Sequence, residues 1–289
     1  MWRRTHEDDC LARVSPQAAE AHRPAAAAST FGTPFDLNLI GLWTLYQKEV
    51  RRFLKVPGQT LAAPVITTLM FLAIFALALG RSGRLIEGVP FLEFLAPGLV
   101  MMAVIQNAFA NTSSSILIGK IQGNIVDLLM PPLRPSELMF GLIAGGVTRG
   151  LLVALVVSLA MTPVVGLQTA APLMVVYHAI GGSLMLSLLG LLGGLWAEKF
   201  DQMAAMTNFV ITPLSFLSGT FYSISQLPGP FQAIAHVNPF FYLIDGIRFG
   251  FTGHADGSVL LGAIVVAAVD LALWLLALRL LASGYKLKS

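Results

Sequence analysis

Residues Pro172–Trp196 read PLMVVYHAIGGSLMLSLLGLLGGLW, an apolar run without a single Asp, Glu, Lys or Arg. A helix crosses the hydrocarbon core of a bilayer with ~20 mostly apolar residues, so this stretch reads as a span. Lipid offers the backbone no hydrogen bonds, which leaves a helix or a closed barrel. The alternation that barrel strands require is absent here. Five further stretches have the same character, at about 60–80, 91–118, 138–167, 203–222 and 258–282.

Composition points the same way. Of the 289 residues, 56% are apolar and 11% charged, and the formal net charge is +3. Ordinary soluble domains carry about 25% charged residues, so this chain cannot cover a water-facing surface. Disorder is excluded as well, because it needs low hydrophobicity and high charge. The single cysteine, Cys10, allows neither a disulfide framework nor a multi-cysteine metal site. His6, His22, His178, His236 and His254 are scattered without ligand spacing, so no metal site is expected. The expected fold is all-α and integral to the membrane, with six transmembrane helices.

Residues 1–35 stand apart. They hold Arg3, Arg4, Arg13 and Arg23 among acids, prolines and alanines, with no apolar stretch after the arginines. That excludes a secretory signal and reads as a flexible cytoplasmic tail. Lys48, Arg51, Arg52, Lys55, Lys120, Arg134, Lys199, Arg279, Lys286 and Lys288 then fall on the same side of the spans as the tail. Only Arg81, Arg84 and Arg248 fall on the other, which puts both termini in the cytoplasm.

Residues 37–56 form a different kind of helix. Leu39, Trp43, Tyr46, Val50 and Phe53 share one face at helical spacing, and Lys48, Arg51, Arg52 and Lys55 the opposite one. An aromatic-bearing apolar stripe against a basic stripe is the pattern of a helix lying in the membrane interface.

The second span is the most polar. Asn107, Asn111 and Ser114 recur at i, i+4 and i+7, beside Gln106, Thr112, Ser113 and Ser115. Such a face avoids lipid. It serves either as hydrogen-bond glue between helices, at ~0.6–2 kcal/mol per contact, or as the lining of a conduit.

The chain then turns through residues 119–130, where Ile121, Ile125, Leu128 and Leu129 make a short apolar face. Lys120, Gln122, Asn124 and Asp127 point elsewhere, and Pro131-Pro132 ends the turn. That face either folds onto the membrane surface or fits a groove on another protein. Arg149 and Asp270 lie at similar depths in their spans, where a lone charge costs at least ~2.5–3.5 kcal/mol, so they are candidates to pair. On that basis Arg149→Ala is expected to lower folded yield more than Arg248→Ala at the outer edge. Residues 223–244 carry no charge, while Pro228-Gly229-Pro230 and Asn238-Pro239 divide them into two short helices. Phe231, Phe240, Phe241 and Tyr242 would be their interfacial aromatics.

These features together resemble a family. FLAPGLVMM at 94–102, DLLMP at 127–131 and TPLSFLSGTFY at 212–222 are followed by Leu227-Pro228, Asn238-Pro239 and Arg248. From about residue 37 onward the chain resembles ABC-2 type permeases, the membrane subunits of bacterial ATP-binding-cassette exporters for drugs, lipo-oligosaccharides and polysaccharides. The resemblance implies a half-transporter of the inner membrane that pairs with a second copy and with two ATPase subunits, in contact with lipid and without a nucleic-acid partner. It implies a coupling helix at 120–129, comprising Lys120, Ile121, Asn124, Ile125, Asp127, Leu128 and Leu129. It also implies re-entrant outer hairpins at 223–249, built on Pro228, Phe231, Asn238, Pro239 and Phe240.

The chain has no G-x-x-x-x-G-K-[ST] phosphate cradle. Any ATP-Mg would therefore be bound by a partner, with no cofactor or catalytic residue on this chain. The rival expectation is a passive or ion-coupled carrier that works without an ATPase and uses Arg149 and Asp270 as coupling groups. Substrate identity is not legible in the residues.

Overall fold

Two prolines shape the least regular parts of the membrane region. A computed structural model of the chain describes residues 38–79, 85–86, 88–125 and 133–286. The expected tail at 1–35, and Arg81 and Arg84, lie outside the described residues.

Helix α1 (Leu39–Leu54) opens the fold. Helix α2 starts as a π turn, Gly58–Ala62, and continues as Ala63–Leu79. A two-residue hairpin, β1 (Leu85–Ile86) with β2 (Val89–Pro90), leads into α3 (Phe91–Ile121). Then come α4 (Pro135–Val165) and α5 (Pro172–Trp196). Next are α6 (Phe200–Met206), a second π turn (Thr207–Ile211) and α7 (Thr212–Leu217). The chain closes with α8 (Gly229–Val237), α9 (Pro239–Thr252) and α10 (Val259–Ala282).

Among the described residues, five helices are long and apolar enough to cross a membrane: Gly58–Ala78, α3, α4, α5 and α10. The stretch expected as a single span at 203–222 is one helical rod from Phe200 to Leu217, interrupted in pitch by a π turn. Pro213 has no N–H to return to the carbonyl four residues back, and the ladder widens into the π turn just before it. Pro64 stands in the same relation to the π turn that opens α2. The helix starts earlier than expected, at Phe200, so Asp201 and Gln202 join Asn208 in diluting its apolar run, and it stops at Leu217, ahead of Gly219 at φ 78°.

Helix α3 is the axis of the fold. Its apolar stretch is 78% buried, against 11% for α2 and 17% for α10. Phe94, Leu95, Leu99, Met101, Val104 and Ile105 pack on all its sides. Helix α5 approaches it through glycines: a Cβ at Gly190 would stand 2.7 Å from the Phe109 carbonyl. Small residues permit such contact, and in lipid dispersion forces rather than water exclusion hold it. Ile66, Leu77, Leu260 and Ile264 on α2 and α10 point outward, toward apolar surroundings.

Helix α1 does not stand alone either. Glu137 caps it and α4 together, accepting from Asn38 N at 3.0 Å and from Arg134 N at 2.8 Å. Gly141 and Gly145 form a trough on α4, where a Cβ at Gly145 would sit 2.5 Å from the Glu49 Cβ.

The helices expected after Pro228 and Asn238 are present as α8 and α9. Asn238 Oδ1 accepts from Phe240 N at 3.1 Å, and its Nδ2 donates to Leu214 O at 3.0 Å and Ser218 Oγ at 2.7 Å. The aromatics divide differently from expectation. Phe231 is exposed beside Ile234 and Val237, whereas Phe240 and Phe241 are buried, because α9 packs along α3 and α5. Asn238→Ala removes the cap and both tethers to the α7 end. It should destabilise the detergent-solubilised protein by about 1–2 kcal/mol, read as a lower midpoint in thermal unfolding.

Candidate functional site

The cytoplasmic half of α3 is where charge enters the bundle. Glu49 on α1 is fully buried. Its Oε2 accepts from Arg52 Nη2 at 2.9 Å and Nε at 3.3 Å, and its Oε1 accepts from Ser115 Oγ at 2.6 Å. Arg52 reaches across to α3, donating from Nη1 to Ser114 Oγ at 2.9 Å and from Nη2 to Asn111 O at 2.6 Å and Oδ1 at 3.2 Å. A carboxylate out of water must be paired and hydrogen-bonded to be tolerated, and this one is.

Arg52 therefore leaves the basic stripe to which periodicity assigned it. The inward face of α1 is Leu45, Glu49 and Phe53, while Leu39 and Trp43 are exposed. The physical reason is the polar ladder opposite, which draws in the one acid of this helix and the arginine one turn later. An acid and a base at i, i+3 within an otherwise basic helix was the available signal.

One turn further along the ladder, Asn107 Oδ1 accepts from Arg149 Nη2 at 2.8 Å. Arg149 does not pair with Asp270: among the described residues the two form no ion pair, and Asp270 Oδ1 has no hydrogen-bond partner. An amide on the facing helix lies within the arginine's reach and takes its place. A cavity of about 200 Å³ opens between α2 and α3, lined by Gln59, Thr67, Thr68, Gln106 and Asn107 together with Phe71 and Met102. Of the three expected conduit residues, Asn107 borders this cavity. Asn111 and Ser114 hold Arg52 instead.

The expected coupling segment is divided as well. Lys120 and Ile121 belong to the last turn of α3. Lys120 Nζ donates to the carbonyls of Leu195 at 2.8 Å and Ala197 at 2.7 Å, satisfying the open C-terminal end of α5. Gln122 to Asn124 form an exposed turn, with Gly123 at φ 72°. Ile125 folds back into the bundle among Leu138, Leu195 and Leu281, so it is not part of a free apolar face. Asp127, Leu128 and Leu129 lie outside the described residues.

At the opposite end of the bundle, Arg248 is the largest fully buried side chain. The sequence reading left it at the outer edge. Its Nη2 donates to Gly219 O at 2.6 Å and its Nε to Phe94 O at 3.3 Å. The guanidinium lies 3.8 Å from the Phe94 ring centroid, and Nη1 is 3.8 Å from Asp256 Oδ2. That oxygen also accepts from Ile224 N at 3.0 Å, and Asp245 accepts from the backbone N–H groups of Asp256 and Gly257. One arginine thereby ties α9 to the start of α3, to the turn after α7 and to the loop before α10. Window-averaged hydropathy sees only its charge.

A bundle of long apolar helices, with a polar ladder on its most buried member and a charged helix locked to that ladder from one side, defines a multi-pass membrane protein. Residues 41–252 match the family described as ABC-2 type transporter. Inner membrane transport permease YadH of Escherichia coli (strain K12) is 36% identical over 250 residues, covering 86% of this chain and 98% of that protein. Nodulation protein J of Rhizobium meliloti (strain 1021) is 25% identical over 217 residues, covering 73% of this chain and 80% of that protein. Nodulation protein J of Rhizobium leguminosarum bv. trifolii is 28% identical over 225 residues. The chain belongs to the ABC-2 type transporter family, as the inner-membrane, multi-pass subunit of an ABC transporter whose ATPase is a partner subunit.

Proposed function

We propose that two copies of this chain, with two ATPase subunits that bind ATP-Mg, form an exporter for an amphipathic drug, lipid or lipid-linked glycan. In this reading the chain crosses the membrane six times, with the rod of α6 and α7 as the fifth crossing and both termini cytoplasmic. Helix α1 lies in the cytoplasmic interface, and α8 and α9 re-enter the outer leaflet. The chain itself carries no catalytic residue.

The observation that supports this most is the path of polar contacts along α3. Asn107 borders the small cavity with α2 and holds Arg149, and one turn along the same helix Asn111 holds Arg52, which pairs with Glu49 on α1. A helix locked to α3 by buried charge moves with it, so a push on the cytoplasmic end of α3 reaches the cavity without loss in a flexible loop. The exposed turn 121–124 at that end is where an ATPase would press.

The test is to change the exposed side of that turn and, separately, its buried side. Ile121→Asp with Asn124→Arg should lower co-purification of the ATPase about tenfold or more, while the permease keeps its yield and elution volume. Ile125→Asp places a charge in the bundle and should lower folded yield instead. If the exposed double variant still binds the ATPase normally, the coupling role of this turn is wrong.

A further inference from the structure

The buried carboxylate of Asp270 takes no part in the contacts described so far. It sits in α10 ~16 Å along the axis from Val259 at 1.5 Å per residue, near the middle of that span. It is 7% exposed, and no hydrogen bond or ion pair reaches it among the described residues. Tyr177 beside it spends its hydroxyl proton on Ala263 O, at 2.7 Å.

The carboxylate borders a groove of about 470 Å³ between α5 and α10, walled by Tyr177, Leu184 and Trp274. Gly181 lets α10 come close: a Cβ there would stand 2.6 Å from Val266 Cγ1 and 3.6 Å from Asp270 Oδ2. Leu184 and Trp274 also line a second groove, of about 690 Å³, which runs between α4 and α1 to Trp43 and Tyr46. The two grooves share these residues, so Leu184 and Trp274 stand between a lone mid-span carboxylate and the aromatic residues of α1.

We infer that these grooves bind a lipophilic ammonium amphiphile, its cationic head on Asp270 and its apolar body along Leu184 and Trp274 toward Trp43. Charge complementarity selects the head group. An uncompensated carboxylate in apolar surroundings is strongly disfavoured, and an intramembrane ionisable residue of this kind requires a partner. A metal ion would exchange its water shell for a single carboxylate, which hard cations resist. An alkylammonium sheds water readily and gains the faces of Tyr177 and Trp274. The depth excludes a phospholipid head group, which stays at the surface, and selects a molecule that itself partitions into the bilayer. The combined room suits a drug-sized ligand. The site is independent of the direction and energy source of transport.

The test uses the full chain in phosphatidylcholine nanodiscs and two brominated probes of equal chain length, an alkyltrimethylammonium and an alkyl alcohol. Quenching of tryptophan fluorescence is measured relative to each probe's partition into protein-free nanodiscs. The ammonium should quench at a concentration about tenfold lower than the alcohol, the factor that 1.4 kcal/mol of head-group attraction gives. Asp270→Asn should erase that preference, Asp270→Glu should keep it, and Trp274→Phe should remove most of the quenching. Equal potency of the two probes on the wild-type chain overturns the proposal without needing any variant. So does an ammonium preference that survives in Asp270→Asn, or quenching unchanged in Trp274→Phe.

Discussion

Arg248→Ala should lose most of its folded yield, with a destabilisation of about 3–5 kcal/mol, the range for removing one member of a buried charged pair. Three residues lose a contact at once: Gly219 at its carbonyl, Phe94 at its ring and carbonyl, and Asp256 at its carboxylate. Arg248→Lys keeps the charge but cannot hold a fork of donors over a ring, and should fall between the two. Arg149→Ala should cost less than Arg248→Ala, because Arg149 is half-buried and holds one amide oxygen. This reverses the order that the sequence suggests. Monodisperse yield by size exclusion, with thermal midpoints in the same detergent, reads all three. Arg149→Ala falling below Arg248→Ala would contradict the clasp.

Glu49→Ala should be the second severe variant, and in a different way. It strands Arg52, which is half-buried, against α3 without its carboxylate, at a cost of about 1.5–3 kcal/mol, the range for losing hydrogen bonds to a charged group. The double variant Glu49→Gln with Arg52→Gln removes both charges and keeps hydrogen-bonding groups for Ser114, Ser115 and Asn111. It should recover much of the yield. If α1 acts as a strut on α3, the recovered protein should still bind its ATPase but transport poorly, because the contact that carries motion has been softened. Full recovery of yield and transport together would make the cluster a folding device alone.

Legibility followed the length and purity of each signal. Pro172–Trp196 is bounded in the structure as in the sequence, since Pro172 starts α5 at its first turn and no Asp, Glu, Lys or Arg blurs the run. Helices α8 and α9 were readable from Pro228 and Asn238, because a proline without an N–H and an Asx cap act locally. The rod at 200–217 has its irregularity where Thr212-Pro213 signals a bend, because a missing N–H acts on a single carbonyl. Arg248, Arg52 and Ile125 were misplaced for a shared reason. Their positions depend on which distant helix faces them, and neither charge nor periodicity contains that. Glu49 was missed outright. It interrupts a basic helix, and only the ladder on α3 explains why it turns inward.

The exposed apolar faces of α2, with Ile66, Met70, Ile74 and Leu77, fit either lipid or a second copy of the chain. Lipid tails are as apolar as leucine, so both present the same surroundings to these side chains. Assembly therefore has to be measured. The most direct measurement is native mass spectrometry of the complex captured from its own membranes through a tag on this chain. Two copies of the chain with two ATPase subunits is the expected mass, and it should fall to the ATPase-free dimer in Ile121→Asp with Asn124→Arg. A fully folded chain that is captured singly and without any ATPase would contradict the account.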